Sequence, residues 1–273
     1  TDATYCIGRK AAAGGEAKPD PLPAGVPPAT HLQVSPTELA LTPGDRVQFT
    51  VRLFDAQGRF IREEPKVIWS LEQLEGRISA TGNLTTSGSN PQAGTVKATA
   101  VSLSGIARVR VVPALPWKWD FENGLVPPHW INATGKFVAR EEGGAKVLVK
   151  LADNPFTKRA RVFMGGGHLA NYTVEADALA REQRRQMGDV GVVAQRYQLV
   201  LFGNAQKIEL QSWQSETART VHQDFAWKPD TWYRLKLRVE RDGSAVRVRG
   251  KAWPAADAEP EAWSLERADP IPN

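Results

Sequence analysis

The acidic residues with the clearest catalytic potential are Glu175 and Asp177, two positions apart in Tyr172-Thr-Val-Glu-Ala-Asp-Ala178. This stretch alternates apolar and polar residues, which predicts a β-strand with both carboxylates on the same side. Two carboxyl groups roughly 5 Å apart form the catalytic pair of retaining glycoside hydrolases. The same pattern also suits a solvated or arginine-paired strand face, and that second interpretation is the one we favour.

Tryptophans form a second group of candidate functional residues. All but one of the nine follow residue 115, and an aromatic ring face can stack on a sugar. Arg196 and Gln211 could supply hydrogen bonds to the same ligand. Trp130 and Trp232 are predicted instead to fill the core. The tryptophans next to polar, loop-like stretches are predicted to be exposed and to bind the ligand: Trp213, Trp227 and Trp253.

The sequence contains few residues at the spacing of metal ligands. Its single cysteine, Cys6, excludes an internal disulfide and a multi-cysteine metal site. Calcium could bind at the loops around Asp153 and Asp189, although no run of alternating oxygen ligands supports this. We therefore expect no metal and no cofactor in this segment. The histidines lie far apart, and none has a second ligand at metal-binding spacing: His31, His129, His168 and His222.

Charge is spread along the chain rather than concentrated. The 273 residues include 35 Lys and Arg and 30 Asp and Glu, which gives a net charge of +5. Stretches such as Arg234-Leu-Lys-Leu-Arg238 place basic residues singly on one solvated strand face. A nucleic-acid site would need a basic patch, so none is predicted. Apolar runs are only a few residues long, which predicts no membrane-spanning segment.

The elements that position these residues are predicted to be β-strands, in an all-β fold. Residues 1–9 are predicted to be the end of a preceding domain, and the Pro/Gly/Ala-rich residues 10–30 a linker. Residues 31–113 contain seven or so short strands, including Val47–Phe54, which predicts an immunoglobulin-like sandwich with Trp69 at its centre. Residues 114–273 contain about ten strands without helical periodicity, which predicts a larger antiparallel sandwich.

The first of these sandwiches carries a recognisable series of short motifs. They are Leu32–Pro36, Leu41–Gly44, Val47–Val51, Val67–Ser70, Gly76–Ile78, Gly82–Leu84 and Ala93–Thr99. As a set they resemble the bacterial Ig-like (BIG2-type) domains of exported and cell-surface proteins. The resemblance implies a spacer or adhesion module that carries no catalytic residues.

The second sandwich has its own series of motifs. They are Asp120–Glu122 with Trp130, Tyr172–Asp177, Gly188–Gly191, Tyr197–Leu199, Trp232–Val239 and Gly250–Trp253. Their order resembles the concanavalin A-like lectin/glucanase fold, close to laminin-G-like domains and to DUF1080. Glucanases of this fold carry Glu, Asp and a second Glu on one strand. Here the third position falls near Ala180, and Glu182 is two residues late, so the sequence departs from the glucanase pattern.

The whole series, with Asn132–Phe137, resembles the carboxyl-terminal part of bacterial PQQ-like (BamB-like) β-propeller proteins, and Ala3–Gly8 resembles the last strand of a final blade. PQQ would be a cofactor only if an upstream propeller bound it. Related sandwiches return with one more strand, so the chain is expected to be a fragment.

The resemblance implies a non-catalytic bacterial binding module in the periplasm, the outer envelope or the medium. Its expected partner is a polysaccharide or a cell-envelope protein. A structural or assembly role in an envelope complex is one alternative, and a sugar hydrolase of the DUF1080 type is the other.

Overall fold

The computed structural model describes residue 25 and residues 27–151, 160–212 and 216–270, and it confirms the predicted all-β fold class. The chain divides into two compact units, Thr1–Met164 and Gly165–Asn273. Residues 1–9, most of the predicted linker and Cys6 lie outside the described residues. The predicted domain boundaries stay predictions. No helix in the described ranges is long and apolar enough to cross a membrane.

The first unit is built from short strands joined by turns. They are β1 (His31–Ser35), β2 (Glu38–Leu41), β3 (Arg46–Gln48), β4 (Thr50–Phe54), β5 (Phe60–Glu63), β6 (Ile68–Glu72), β7 (Gly76–Ile78), β8 (Asn83–Thr86), β9 (Gln92–Ala100), β10 (Leu103–Val111), β11 (Phe137–Glu142) and β12 (Ala145–Lys150).

Three sheets of this unit share one hydrophobic core. Their strand orders are β1-β4-β5, β2-β10-β9-β6 and β3-β8-β7, and β11 and β12 form a separate hairpin. Phe49, Val51 and Leu53 point into the core as their alternation predicted, and they meet Val96 and Val109 of the facing sheet. Burying such side chains is the main favourable contribution to folding.

One predicted strand is divided in the structure. Val47–Phe54 was expected to be continuous, but the chain leaves β3 at Phe49 and enters β4 in another sheet. The Phe49 amide donates a hydrogen bond to the Gly82 carbonyl oxygen at 2.8 Å. The single-strand prediction is therefore wrong, because alternation is preserved when a strand changes sheets and gives no sign of the change.

The described residues of the second unit form ten strands. They are β13 (Tyr172–Ala178), β14 (Glu182–Gln183), β15 (Gln186–Met187), β16 (Val190–Ala194), β17 (Tyr197–Phe202), β18 (Lys207–Ser212), β19 (Val221–Asp224), β20 (Tyr233–Asp242), β21 (Ala245–Pro254) and β22 (Leu265–Asp269). A short 3-10 helix covers Thr217–Arg219.

Two four-stranded antiparallel sheets form the sandwich of this unit. Their orders are β13-β20-β21-β22 and β16-β17-β18-β19. Leu199 and Leu210 from one sheet meet Leu235, Leu237 and Val248 from the other in a common core. Because inward residues alternate with outward ones, each sheet also presents a polar outer face.

A buried polar cluster joins the last strand to this core. The Asp269 carboxylate accepts hydrogen bonds from the Tyr197 hydroxyl at 3.0 Å and from Arg219 Nη2 at 2.6 Å. The Asp269 side chain is buried, so its charge needs these partners. The cluster fixes the 3-10 helix to the edge of the sandwich.

Candidate functional site

Glu175 and Asp177 lie on the outward face of β13, both exposed, as their spacing predicted. The register sets Asp177 opposite Arg234 and Glu175 opposite Lys236 of β20. Arg234 donates two hydrogen bonds to Asp177, at 2.6 Å from Nε and 2.8 Å from Nη2. Its Nε also lies 3.8 Å from Glu175 Oε1. The guanidinium of Arg234 therefore forms ion pairs with both carboxylates.

Ion pairing dominates the chemistry of this face. The hydrogen bonds to Asp177 raise the pKa of Arg234, and the pKa of Lys236 is raised first by its hydrogen bond to Glu259 and then by Glu175. A catalytic acid needs an environment that favours the protonated carboxyl group. Neighbouring cations favour the ionised form instead. The geometry is that of the arginine-paired strand face that we favoured from the sequence.

The same sheet face contains a buried lysine. Lys251 of β21 pairs in register with Lys236, and its ammonium lies 2.7 Å from Glu259 Oε1 and 2.5 Å from the Pro260 carbonyl oxygen. The ring centroids of Trp253 and Trp263 lie 5.6 and 4.9 Å from this ammonium. Residues 255–264, which join β21 to β22, therefore cover the lysine with aromatic and acidic groups.

The tryptophans predicted to bind sugar offer no exposed ring where the structure describes them. Trp227 is 3% exposed and donates from Nε1 to the Phe202 carbonyl oxygen at 3.1 Å. Trp253 is 4% exposed beside Lys251. The predicted exposure of both rings is wrong, because polar neighbours in sequence do not decide whether other segments of the chain pack against a ring. Their ligand-binding role stays a prediction.

Two other tryptophan predictions can be compared with the structure. Trp232 was predicted to be core, but it is 41% exposed, so that prediction is wrong. Trp130 is buried as predicted, in edge-to-face contact with Trp119 at a centroid distance of 5.2 Å. Trp213 lies outside the described residues.

Arg196 and Gln211 occupy neighbouring elements of the second unit. Arg196 lies exposed in the turn between β16 and β17, with a φ of 72°. Gln211 of β18 pairs with Gln198 of β17, and its Nε2 donates to Glu209 Oε1. Arg196 and Gln211 do not hydrogen-bond to each other within the described chain. Their contact with a ligand stays a prediction.

The candidate metal ligands remain separate in the fold. No three His, Cys, Asp or Glu residues of the described ranges come together in a way that could hold a metal ion. Asp189, a candidate for calcium, accepts a hydrogen bond from the Gly203 amide at 2.9 Å. Asp153, the other candidate, lies outside the described residues.

One histidine of the first unit is deeply buried. His129 is 2% exposed, and its ring centroid lies 5.8 Å from that of Trp119. Neither ring nitrogen makes a hydrogen bond, and Trp130 Nε1 has no partner either within the described residues. Burial, aided by the charge of Arg110, lowers the pKa of His129 to about 4. The imidazole is therefore neutral at physiological pH.

The first unit also contains an open groove of about 440 Å³. It lies beside β5 and β6, which are the terminal strands of their two sheets. Its lining includes Gln48, Glu63, Glu64, Trp69 and Thr81. Concave sites that combine an aromatic ring with a few polar groups are the usual form of a binding site.

The groove walls are held by contacts with the core. Trp69 packs on Phe49 at a centroid distance of 6.3 Å, and a Cβ added at Gly82 would lie only 2.9 Å from its ring. Gly82 also has a φ of 82°, a conformation that side chains other than glycine rarely adopt. Gln48 Nε2 donates to the Thr81 carbonyl oxygen at 2.6 Å. These contacts hold the walls of the groove in place.

Sequence reasoning missed this groove. Trp69 was interpreted as a central core residue, and it does pack against the core while also lining the cavity. Gln48 and Thr81 are distant in sequence and meet only because β3 pairs with β8. The available signal was Glu63-Glu-Pro65, an acidic pair followed by a proline at the end of a short strand.

Comparison with known proteins adds no identification. No protein-family model matches the chain, and no curated protein sequence matches it significantly. The function is therefore inferred from the residues and their geometry.

Proposed function

We propose that this chain is a non-catalytic binding module of the bacterial cell envelope, and that it binds a protein partner rather than a glycan. The observation that carries the proposal is the groove of the first unit, which combines Trp69 with Glu63 and Gln48. Its position beside two terminal strands suits recognition of an extended segment of another protein, because terminal strands have unpaired backbone groups.

The domain assignments belong to the same proposal. The shared core of the first unit, with Trp69 packed on it, supports the Ig-like assignment. The two four-stranded sheets of the second unit support a concanavalin A-like assignment. The extracytoplasmic location and the place at the end of a propeller protein rest on the sequence resemblance alone.

Glycan binding is the second candidate, and one observation favours it. Trp232 is 41% exposed and could present a ring face to a sugar. A single exposed ring provides little area for stacking on a sugar, and the buried rings of Trp227 and Trp253 add none. An assembly role would use the same protein-binding surface. A sugar hydrolase would depend on Glu175 and Asp177, which are committed to ion pairs with Arg234.

The test is retention of partners by the immobilised chain. We expect a stoichiometric protein from an envelope extract of the source cells to be retained, with no effect of added soluble sugars. Retention should be lost in Glu63→Lys, which reverses the charge of a residue that lines the groove, and kept in Glu72→Lys, a matched change on β6 at a residue that does not line it.

Three other results would contradict the proposal. Retention of the chain on a polysaccharide, abolished in Trp232→Ala, would establish the glycan alternative. Release of sugar product that disappears in Glu175→Gln would establish the hydrolase. Failure to retain any protein or polysaccharide would remove the binding function.

A further inference from the structure

We propose that the outer face of the sheet β13-β20-β21-β22 carries a carboxylate-binding site, and that an acidic segment of a partner protein binds there by displacing the loop of residues 255–264. This inference concerns a surface other than the groove, so it goes beyond the proposed function. Lys236 of β20 and Lys251 of β21 lie opposite each other in register, and both ammonium groups contact the loop residue Glu259. Two cations on adjacent strands therefore converge on one carboxylate.

Lys251 is the more enclosed of the two cations. Its side chain is 4% exposed, and a buried ammonium is costly unless acceptors surround it. Its Nζ lies 2.7 Å from Glu259 Oε1 and donates to the Pro260 carbonyl oxygen at 2.5 Å. Both acceptors belong to the loop, and no other described segment supplies one. The sheet thus presents a lysine whose ligands come from a separate part of the chain.

Lys236 provides the second cation. Its Nζ lies 2.9 and 3.0 Å from the two carboxylate oxygens of Glu259, and 3.2 Å from Glu175 Oε2 on the neighbouring strand. The pKa of Glu259 is lowered chiefly by its hydrogen bonds with Lys251 and Lys236. Once Glu259 leaves, Lys251 has no carboxylate partner among the described residues and Lys236 keeps only Glu175. The face then has an excess of positive charge that suits an incoming carboxylate.

The loop has few other interactions that hold it in place. Residues 256–262 are all exposed, and the Glu259 side chain is 44% exposed. Residues 258–263 make no hydrogen bond between backbone groups within the described chain. Trp263, whose ring centroid lies 4.9 Å from the Lys251 ammonium, is only partly buried. Segments with exposed residues and few backbone hydrogen bonds open locally at low cost in free energy, so a competing segment can replace the loop.

The loop itself shows the chemistry of the segment that would replace it. Its sequence around the contact is Asp257-Ala-Glu-Pro-Glu261, which is acidic and contains no basic residue. A partner segment of similar composition would place a carboxylate on the two lysines and a carbonyl oxygen on Lys251. It would also reach the ring of Trp253, which lies 5.6 Å from the Lys251 ammonium and is 4% exposed. An acidic protein segment is therefore the partner that this face selects.

Competition with the loop sets the apparent affinity for such a partner. A ligand that needs the loop displaced binds more weakly, in proportion to the fraction of molecules in which the loop is open. Replacing Glu259 by glutamine removes the charge that holds the loop and leaves both lysines in place. Glu259→Gln should therefore raise the affinity for an acidic segment about five- to tenfold. A loop with a purely structural role would give no such gain.

The experiment uses two five-residue peptides that differ in charge. The probe is acetyl-Ala-Glu-Pro-Glu-Ala-amide, and its control has glutamine in place of both glutamates. Each is titrated into the full ¹⁵N-labelled chain while the indole N–H signal of Trp253 is followed. We expect the acidic peptide to shift this signal saturably in Glu259→Gln, and to bind the wild type about five- to tenfold more weakly. The glutamine peptide should bind neither form, and higher salt should weaken the acidic peptide.

Matched variants assign the effect to the loop and the lysines. Glu261→Gln changes an exposed loop carboxylate that makes no ion pair within the described residues, and it should leave the affinity at the wild-type value. Lys236→Gln added to Glu259→Gln should lower the affinity about tenfold, because one of the two cations is gone. Acetic anhydride should modify Lys251 faster in Glu259→Gln than in the wild type, relative to the exposed Lys228. Mass spectrometry of proteolytic peptides measures both rates.

Several results would overturn the inference. These are an affinity for the acidic peptide that Glu259→Gln does not raise, equal binding of the two peptides, an equal gain in Glu261→Gln, or a Lys251 modification rate that Glu259→Gln leaves unchanged. Glu63→Lys in the first unit should not alter peptide binding, so this inference and the proposed function can fail separately. Loss of partner retention in Glu63→Lys, together with no peptide binding to Glu259→Gln, would support the groove and refute the site on this sheet.

Discussion

Protonation of His129 should make the stability of the first unit depend on pH. Its pKa is lowered from 6.5 to about 4 by burial and, secondarily, by Arg110. Between these pH values the unfolded chain binds a proton that the folded chain excludes, so the free energy of unfolding falls as the pH falls. The pKa difference corresponds to about 3 kcal/mol. This contribution is complete above pH 6.5 and lost once the pH is below 4.

The assay compares urea unfolding of the wild type with that of His129→Leu at a series of pH values. Leucine keeps an apolar side chain among Trp119 and Trp130 and cannot titrate. Between about pH 7 and pH 4, the wild type should lose about 3 kcal/mol more than the variant. His168→Gln, which replaces an exposed histidine, is the control and should follow the wild type.

An NMR titration of the His129 ring measures the same quantity directly. We expect a midpoint near 4, in agreement with the pKa lowered by burial. A midpoint near 6.5 would refute the reasoning, and so would an identical pH dependence of unfolding in wild type and His129→Leu. Either result would mean that the ring is solvated or that a partner stabilises its protonated form.

Two further predictions concern the second unit. Asp269→Ala removes the acceptor shared by Tyr197 and Arg219, and it should lower the free energy of unfolding by about 3–5 kcal/mol in urea titrations; an unchanged midpoint would contradict the role of this buried cluster. Trp253→Ala should cost about 3–5 kcal/mol because the ring is buried, whereas Trp232→Ala should cost about 1–2 kcal/mol because that residue is 41% exposed. Equal losses in the two tryptophan variants would contradict the difference in burial between the two rings.

Alternation along single strands was the most dependable signal in the sequence. It correctly predicted the strand Tyr172–Ala178 and the common face of Glu175 and Asp177. These features depend on side chains one or two positions apart, and the pleat of a strand fixes their relation regardless of the rest of the fold.

Features that depend on distant segments were beyond such reasoning. Trp253 is buried with Lys251 because residues 255–264 fold back over the outer face of their sheet. No local sequence pattern predicts this packing. Trp232 has apolar character like a core residue, yet it lies just before β20 and remains at the surface. Burial of a large ring is decided by what packs on it, and polarity of its sequence neighbours is an indirect guide.

The acidic residues of the two units differ in how firmly they are already paired with cationic side chains. Asp177 holds Arg234 through two short hydrogen bonds, and Glu175 is drawn into the same network by Arg234 and Lys236. A ligand would have to break several coupled ion pairs to reach either carboxylate. Glu63 has a looser partner, because its carboxylate lies 3.6 Å from Arg52 Nε on the outer face of its sheet. Affinity depends on how far the interactions with a ligand exceed those that its binding disrupts, so the paired carboxylates of β13 are poor sites for a cationic ligand.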